Sequence, residues 1–279
     1  MIKIYIGTKI YELEKDFIFS GGEIQVRLPN ILPNYSQNIL IETQLLCSDD
    51  IIKLILVKNA LDTYYDGVKI ANAKIKFHLQ CLYFPYARQD RVCYKGEAFS
   101  LKVVANLIND LYFDSVIVAD PHSNILYYYL NNIAIINQIY ILKKIQPFVE
   151  SHILIGPDAG AAIKTKEAAK YFNCDYGLAD KIRDSDTGNI IGIEPKVDDL
   201  DGHDLLIIDD ICDGGRTFIE LAKVLKENHN PGKICLYVTH GIFSKGFKIF
   251  EGLIDKIITT NSLPQKENNS NIIIDYINL

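Results

Sequence analysis

The sequence lacks an excess of basic residues. Its 29 lysines and arginines stand against 35 aspartates and glutamates, which leaves a net charge of −6 at pH 7. Nucleic acids are bound mainly by Lys and Arg side chains that neutralise phosphates, and no basic cluster interrupts the acidic balance. The composition therefore argues against a nucleic-acid partner, and any anionic ligand must be met by groups local to its site.

The sequence also lacks an apolar run typical of a membrane span. The longest stretch without a charged residue, 121–142, contains side-chain amides that lipid would leave without hydrogen-bond partners. These amides are Asn124, Asn131, Asn132, Asn137 and Gln138. We therefore expect this stretch to pack inside a soluble fold, and we expect no membrane partner.

Paired cysteines are missing as well. The six cysteines are scattered without a C-x-x-C pair, and residues 1–10 alternate like a strand rather than resembling an export signal. Disulfides are rare in reducing compartments. We therefore predict free thiols and a cytoplasmic protein.

The pattern that is present is one of alternating strands and helices. At about 150 residues per domain, 279 residues predict two domains. Apolar runs of strand length with helical patterns between them indicate an α/β protein with mainly parallel sheets. A helical pattern ends at Pro147, so we divide the chain into domains 1–145 and 146–279. The predicted strands are 2–6, 39–45, 74–83, 115–119, 152–155, 174–178, 205–208 and 233–238, and the predicted helices are 50–64, 101–111, 159–172 and 217–227.

The segment 205–217 carries the most informative chemical pattern. Four apolar residues are followed by Asp209 and Asp210, then by Asp213, two glycines and a helical pattern. Backbone N–H groups of such a turn, with the positive end of the helix, form a cradle for a phosphate monoester. The alternative is a plain turn with Thr217 as a helix cap. Consecutive carboxylates after a buried strand favour the functional interpretation, in which Asp209 and Asp210 bind sugar hydroxyls or an ion.

This segment resembles the ribose-5-phosphate loop of the type I phosphoribosyltransferase fold, and six further motifs resemble those of ribose-phosphate diphosphokinases, the PRPP synthases. The resemblance implies two similar phosphoribosyltransferase-like domains, each a mainly parallel sheet flanked by helices. It also implies transfer of the diphosphoryl group of ATP to the anomeric hydroxyl of ribose 5-phosphate, giving PRPP and AMP. The motifs are 19–23 (F-S-G-G-E), 83–91 (Y-F-P-Y-A-R-Q-D-R), 120–122 (D-P-H), 156–160 (G-P-D-A-G), 180–183 (D-K-I-R) and 239–244 (T-H-G-I-F-S).

The resemblance implies an ATP site in the first domain. Arg88 would serve as a planar donor to ATP, and the Gln89 amide would both donate and accept. Phe19 and Glu23 match the family's F-x-D-G-E motif, in which the glutamate helps to hold adenine in a neighbouring subunit's site. Gly21 stands at the third position of this motif, where the family has Asp. From the residues alone, the charged loop would be read as a solvated surface.

The resemblance also implies a magnesium site and a catalytic flap. His122 and Asp158 align with the family's Mg²⁺-associated positions, and magnesium keeps few protein ligands and several waters. Without the alignment, His122 could make a helix-start hydrogen bond and Asp158 could be an N-cap. Lys181 and Arg183 correspond to the catalytic cations of a mobile flap that closes over ATP. Composition alone would make 180–188 a solvated hairpin tip.

The remaining implied roles concern ribose 5-phosphate. Asp209 and Asp210 would bind the ribose hydroxyls. The family's usual Thr-Gly-Gly-Thr core is altered here, so that a hydroxyl donor is lost and Arg216 offers a charged one. The 5-phosphate would be wrapped by Asp213, Gly214, Gly215, Arg216 and Thr217.

Three functional hypotheses follow. The first is an active PRPP synthase that uses Mg-ATP and assembles as a homo-oligomer, a dimer or a hexamer of stacked dimers. The second is an inactive homologue that acts as a partner or regulatory subunit, suggested by Gly21, Ile182 and Gly214, which depart from the family pattern. The third, a phosphoribosyltransferase that consumes PRPP, leaves the first half of the chain without a purpose. The presence of Lys181 and Arg183 favours the first.

Overall fold

The chain folds into two compact units, Met1–Ile136 and Asn137–Leu279. The computed structural model describes residues 2–33, 36–70, 73–183, 190–196, 200–265 and 267–279. Residues 137–145, which the sequence analysis assigned to the first domain, belong to the second unit.

The first unit is built around a six-stranded sheet. Its strands are β1 (Ile2–Ile6), β2 (Lys9–Glu12), β3 (Lys15–Ile18), β4 (Ile24–Arg27), β5 (Asn38–Thr43), β6 (Lys69–Ile70), β7 (Ala73–Lys74), β8 (Lys76–Gln80), β9 (Ser115–Ala119) and β10 (Ile133–Ile136), and its helices are α1 (Ser48–Tyr64), α2 (Ser100–Asn109) and α3 (Leu126–Tyr129). The sheet order is β10-β9-β8-β5-β1-β2. β5, β8, β9 and β10 pair in parallel, whereas β1 and β2 are antiparallel additions. A separate hairpin joins β3 to β4.

The second unit is built around a seven-stranded sheet. The strands are β11 (Ile153–Gly156), β12 (Tyr176–Arg183), β13 (Ile190–Lys196), β14 (Leu205–Cys212), β15 (Ile234–Gly241), β16 (Lys256–Thr260) and β17 (Ile273–Ile277), and the helices are α4 (Gln138–Leu142), α5 (Gln146–Glu150), α6 (Ala162–Phe172) and α7 (Arg216–His229). The sheet order is β13-β12-β11-β14-β15-β16-β17. Every described pair is parallel except β12 with β13.

The apolar residues of both units lie where their periodicity predicts. In β1, Ile2, Ile4 and Ile6 face the core of the first unit while the residues between them are partly exposed. In the second unit all eight residues of β15 are buried, as expected for a parallel strand covered on both faces. Helix α7 buries Phe218 and Leu221 on one face, together with residues one turn further along.

Several predicted boundaries are corrected by the structure. The strand predicted at 205–208 continues to Cys212, so Asp209 and Asp210 lie within β14 instead of following it. Pairing with β15 along this length explains the extension. The residue that caps α7 is Gly215, and Thr217 is already helical. Helix α6 begins at Ala162, three residues after the predicted start, because residues 158–161 form a turn.

The uncharged stretch 121–142 is not a continuous helix. It contains α3, β10 and α4, each five residues long or shorter. Across the described ranges, no helix is long and apolar enough to cross a membrane.

Candidate functional site

Polar residues gather at one edge of the second sheet. Because β11, β14 and β15 are parallel neighbours, their carboxyl ends meet at this edge. Asp158 follows β11, Asp209 and Asp210 lie in the second half of β14, and the loop 213–215 joins β14 to α7. Ligands of open parallel sheets bind at such carboxyl ends.

The loop 213–215 has the geometry of an anion cradle. Gly215 has φ +74°, in the left-handed region, and α7 begins at the next residue. The first N–H groups of a helix have no partner within the helix, so a 14-residue helix presents donors and a positive dipole end here. The sequence analysis predicts a phosphate site at this loop, and that role remains a prediction.

The loop is supported by the segment that follows β15. The backbone N–H groups of Ile242 and Phe243 donate to the Cys212 carbonyl at 2.9 and 3.1 Å, and Ser244 N–H donates to the Asp213 carbonyl at 3.1 Å. Gly215, which ends the loop, is also close to neighbouring side chains. A methyl group on Gly215 would lie 2.6 Å from Phe250 Cζ, closer than van der Waals contact permits. The loop therefore has little freedom to move.

The carboxylates at this edge repel one another. Burial and the neighbouring Asp210 carboxylate raise the pKa of Asp209 well above its usual value, and Asp158 adds to this effect. Lys164 of α6 lies 3.8 Å from Asp210, measured from Nζ to Oδ2, so Asp210 has a nearby cation. The sequence analysis missed Lys164, which carries no signal beyond its place on the helix after Asp158.

Two further predicted residues have local partners. Asp158 Oδ1 accepts hydrogen bonds from the N–H groups of Gly160 and Ala161 at 2.9 and 3.2 Å, as its alternative interpretation as a cap expects. Arg216 donates from Nε to Glu220 Oε1 at 2.6 Å, one helical turn further along. Its side chain is 77% exposed. The role of Arg216 toward phosphate remains a prediction.

Lys181 and Arg183 do not lie in a loop. Both belong to β12, which pairs antiparallel with β13, and the register shifts between Ile182 and Arg183. The first four residues of the predicted flap, 180–183, are therefore held by backbone pairing, and the role of 180–188 as a catalytic flap remains a prediction. Residues 184–188 lie outside the described part of the chain.

In the first unit, Arg88 and Gln89 line two adjoining cavities of about 600 and 480 Å³. Both side chains are exposed. The backbone beside them is fixed, because Gln89 N–H donates to the Tyr86 carbonyl at 2.9 Å and the Gln89 carbonyl accepts from Leu101 N–H at 3.3 Å. Tyr86 itself has φ +58°, a strained value for a residue with a side chain. The larger cavity is lined by Leu45, Leu46, Cys47, Ser48, Tyr83, Pro85, Tyr86, Arg88 and Gln89.

The smaller cavity adds Arg91, His122 and the acids Asp90 and Glu97 to the same pair. Arg91 and His122 line it together with Arg88 and Gln89. Asp90 is 5% exposed and accepts from Arg91 Nε at 2.8 Å. This hydrogen bond, a hydrogen bond with Ser123, and the nearby charges of Arg91 and His122 together lower the pKa of the Asp90 carboxyl. The structure therefore brings together Arg88, Gln89 and His122, and it adds Arg91, which lies in the predicted motif but was not assigned a role.

Phe19, Gly21 and Glu23 lie apart, in the turn between β3 and β4. Phe19 N–H donates to the Glu23 carbonyl at 2.8 Å, and all three residues are exposed. In the described part of the chain neither of the two cavities is lined by these residues. Their implied contribution to a neighbouring subunit remains a prediction.

The described residues offer few ligands for a magnesium ion. Among the described residues, no group of three or more His, Cys, Asp or Glu side chains is arranged to hold a metal ion. His122 and Asp158 belong to different units. Isolated ligands of this kind suit a Mg²⁺ ion that is already bound to a nucleotide, because such an ion keeps phosphate oxygens and waters in its coordination shell. The donor types therefore fit the prediction.

Comparison with known proteins defines the class. Residues 130–259 match the family described as phosphoribosyl transferase domain. Phosphoribosylpyrophosphate synthetase from Mycobacterium smegmatis has the same fold, with a TM-score of 0.80 over 98% of this chain and 88% of that one, at 18% identity. The protein thus has the α/β phosphoribosyltransferase fold.

Sequence relatives narrow the class further. The chain is 32% identical to ribose-phosphate pyrophosphokinase of Sulfurisphaera tokodaii, over 89% of this chain and 84% of that protein. It is 30% identical to the enzyme of the same name from Mycoplasmopsis pulmonis, over 94% and 80%. The chain belongs to the ribose-phosphate pyrophosphokinase family.

We expect the two loop glycines to differ sharply in their tolerance of a side chain. Gly215→Ala should lower the free energy of unfolding by about 2–4 kcal/mol, because of its positive φ and the clash with Phe250. Gly214→Ala should change it by less than about 1 kcal/mol, since its nearest neighbour would be at an ordinary 3.7 Å. Chemical denaturation of both variants tests this expectation, and equal losses would contradict the geometry of the loop.

We expect Asp209→Asn to stabilise the protein at neutral and alkaline pH. The folded-state pKa of Asp209 is raised, so the wild type loses stability as the pH rises through that value. The amide carries no charge to repel Asp210. Thermal melts from pH 4 to 9 should show an advantage of the variant that grows with pH, whereas the exposed Asp66→Asn should show none. A constant or reversed difference would refute the electrostatic interpretation.

Proposed function

We propose that this enzyme transfers the diphosphoryl group of Mg-ATP to the anomeric hydroxyl of D-ribose 5-phosphate, giving 5-phospho-α-D-ribose 1-diphosphate and AMP. The anomeric oxygen uses an electron pair to bond to the β-phosphorus. The bond from that phosphorus to the α–β bridging oxygen breaks, AMP leaves with its electron pair, and the hydroxyl proton passes to solvent. The reaction therefore requires no oxidant and no reactant besides ATP and ribose 5-phosphate.

The observation that carries the proposal is the cradle at the start of α7 beside two acids of β14. Its N–H groups suit a phosphate monoester, and Asp209 and Asp210 suit the hydroxyls of the attached sugar. Asp213 to Thr217 are proposed to wrap the 5-phosphate. The names of the sequence relatives support the same substrate.

Arg88 and Gln89 are proposed to bind ATP. They line both cavities, and the smaller one also carries Arg91 and His122. A polyphosphate there would meet three potentially cationic side chains, beside the acids Asp90 and Glu97. His122 and Asp158 are each proposed to contribute to Mg²⁺ binding, and the bound metal would neutralise charge on the transferred group. Lys181 and Arg183 are proposed as the catalytic cations. Phe19, Gly21 and Glu23 are proposed to contact the adenine of a neighbouring subunit, which implies a homo-oligomer.

A second candidate function is that of an inactive partner or regulatory subunit. Gly21, Ile182 and Gly214, which depart from the family pattern, favour it. The two candidates differ in a single observable, the release of AMP. For the active enzyme we propose a cytoplasmic location, supported by six free cysteines in the structure.

We expect the purified protein, given ATP, Mg²⁺ and ribose 5-phosphate, to release AMP. Lys181→Ala should lower kcat by about 100-fold or more, because the ammonium matters most as charge redistributes in the transition state. Lys166→Ala, a change at an exposed position of α6, serves as the matched control. Absence of AMP release from the wild type under all conditions would leave the regulatory function, and a change confined to KM would contradict the role of Lys181.

We expect Arg88→Ala to weaken ATP binding by about tenfold, as loss of a charge-assisted hydrogen bond predicts. The KM for ribose 5-phosphate should stay close to that of the wild type. Arg27→Ala, at an exposed arginine of β4, controls for a general loss of positive charge. Titrations in which ribose 5-phosphate binding suffers more than ATP binding would place the nucleotide elsewhere.

A further inference from the structure

The phosphate loop has a neighbour from a distant part of the sequence. A methyl group on Gly214 would lie 3.7 Å from Lys245 Cε, 3.9 Å from Lys245 Cδ and 3.9 Å from Ser244 Oγ. The lysine stem therefore passes directly beside the glycine pair. Its ammonium is one bond beyond Cε, and the side chain is exposed, so the charge can reach a ligand at the loop.

The turn that carries Lys245 is held on both sides. Ser244 N–H donates to the Asp213 carbonyl at 3.1 Å, and Gly246 N–H donates to the Phe243 carbonyl at 2.8 Å. Phe243 and Phe247 are fully buried, with ring centroids 4.7 Å apart. The backbone of Lys245 thus stays next to the loop, and only its side chain is free to adapt.

The loop's own cation is directed elsewhere. Arg216 forms an ion pair with Glu220 along the surface of α7, at 2.6 Å. The acids of β14 and Asp213 add negative charge near the loop. A phosphate monoester that carries close to two charges at pH 7 needs a cation to offset this repulsion, and backbone N–H groups supply only partial charges.

We propose that Lys245, with the hydroxyl of Ser244, binds the 5-phosphate of ribose 5-phosphate as the principal side-chain cation of the loop. This inference rests on the proposed function and assigns one of its binding residues.

The test is the binding of ribose 5-phosphate to the full chain, measured by titration calorimetry without ATP. Lys245→Gln keeps the length of the side chain and removes its charge. It should weaken the binding of ribose 5-phosphate by about tenfold, and this loss of affinity should be smaller at high salt. Lys245→Arg should stay within about threefold of wild type. The matched control is Lys248→Gln, an exposed lysine in the same segment, which should bind like the wild type.

Further readouts separate this inference from the proposed function. Lys245→Gln should leave ATP affinity and the melting temperature unchanged, and in the assay it should raise the KM for ribose 5-phosphate more than it lowers kcat. If the wild type binds ribose 5-phosphate and Lys245→Gln binds it equally well, the role of Lys245 is refuted while the proposed function stands. If the wild type binds neither ribose 5-phosphate nor inorganic phosphate, both are refuted.

Discussion

The close approach of Gly215 to Phe250 is the constraint on which the second unit's site depends. The chain must leave β14 and enter α7 through a left-handed residue, and the buried ring leaves no space for a side chain at that point. The helix therefore begins directly at the edge of the sheet. Its unpaired N–H groups come to lie next to the acids of β14, and this juxtaposition makes a sugar-phosphate site physically reasonable.

That site is maintained at a cost in stability. Asp209, Asp210 and Asp158 crowd one edge, and burial, together with repulsion from the other two carboxylates, raises the pKa of Asp209. Lys164 offsets part of it through Asp210. Packing alone would favour neutral residues in these places, so the carboxylates are better explained by a ligand that brings hydroxyl groups or cations. The smaller cavity of the first unit has charged groups of both signs, because Arg88 and Arg91 line it together with Asp90 and Glu97.

The sequence predicted strands with buried faces more successfully than strands that are mostly exposed. β1 and β9 have the bounds predicted for them, because alternating or continuous apolar residues mark their buried faces. β2, β3 and β4 are short and mostly exposed, so they carry no periodic signal and were missed. Lys181 and Arg183 look like loop residues by their polarity, yet pairing with β13 makes them part of a strand.

The sequence by itself determined the order of the chemical groups along the chain at this site: acids, glycines, then a helix. Those relations are local, and motif order was enough to indicate the family. Tertiary structure alone decided the contacts between distant segments, such as Lys164 beside Asp210 and Lys245 beside Gly214. Such contacts arise because parallel pairing of β11, β14 and β15 brings the segments after each strand to one edge, and no local pattern encodes which side chains meet there.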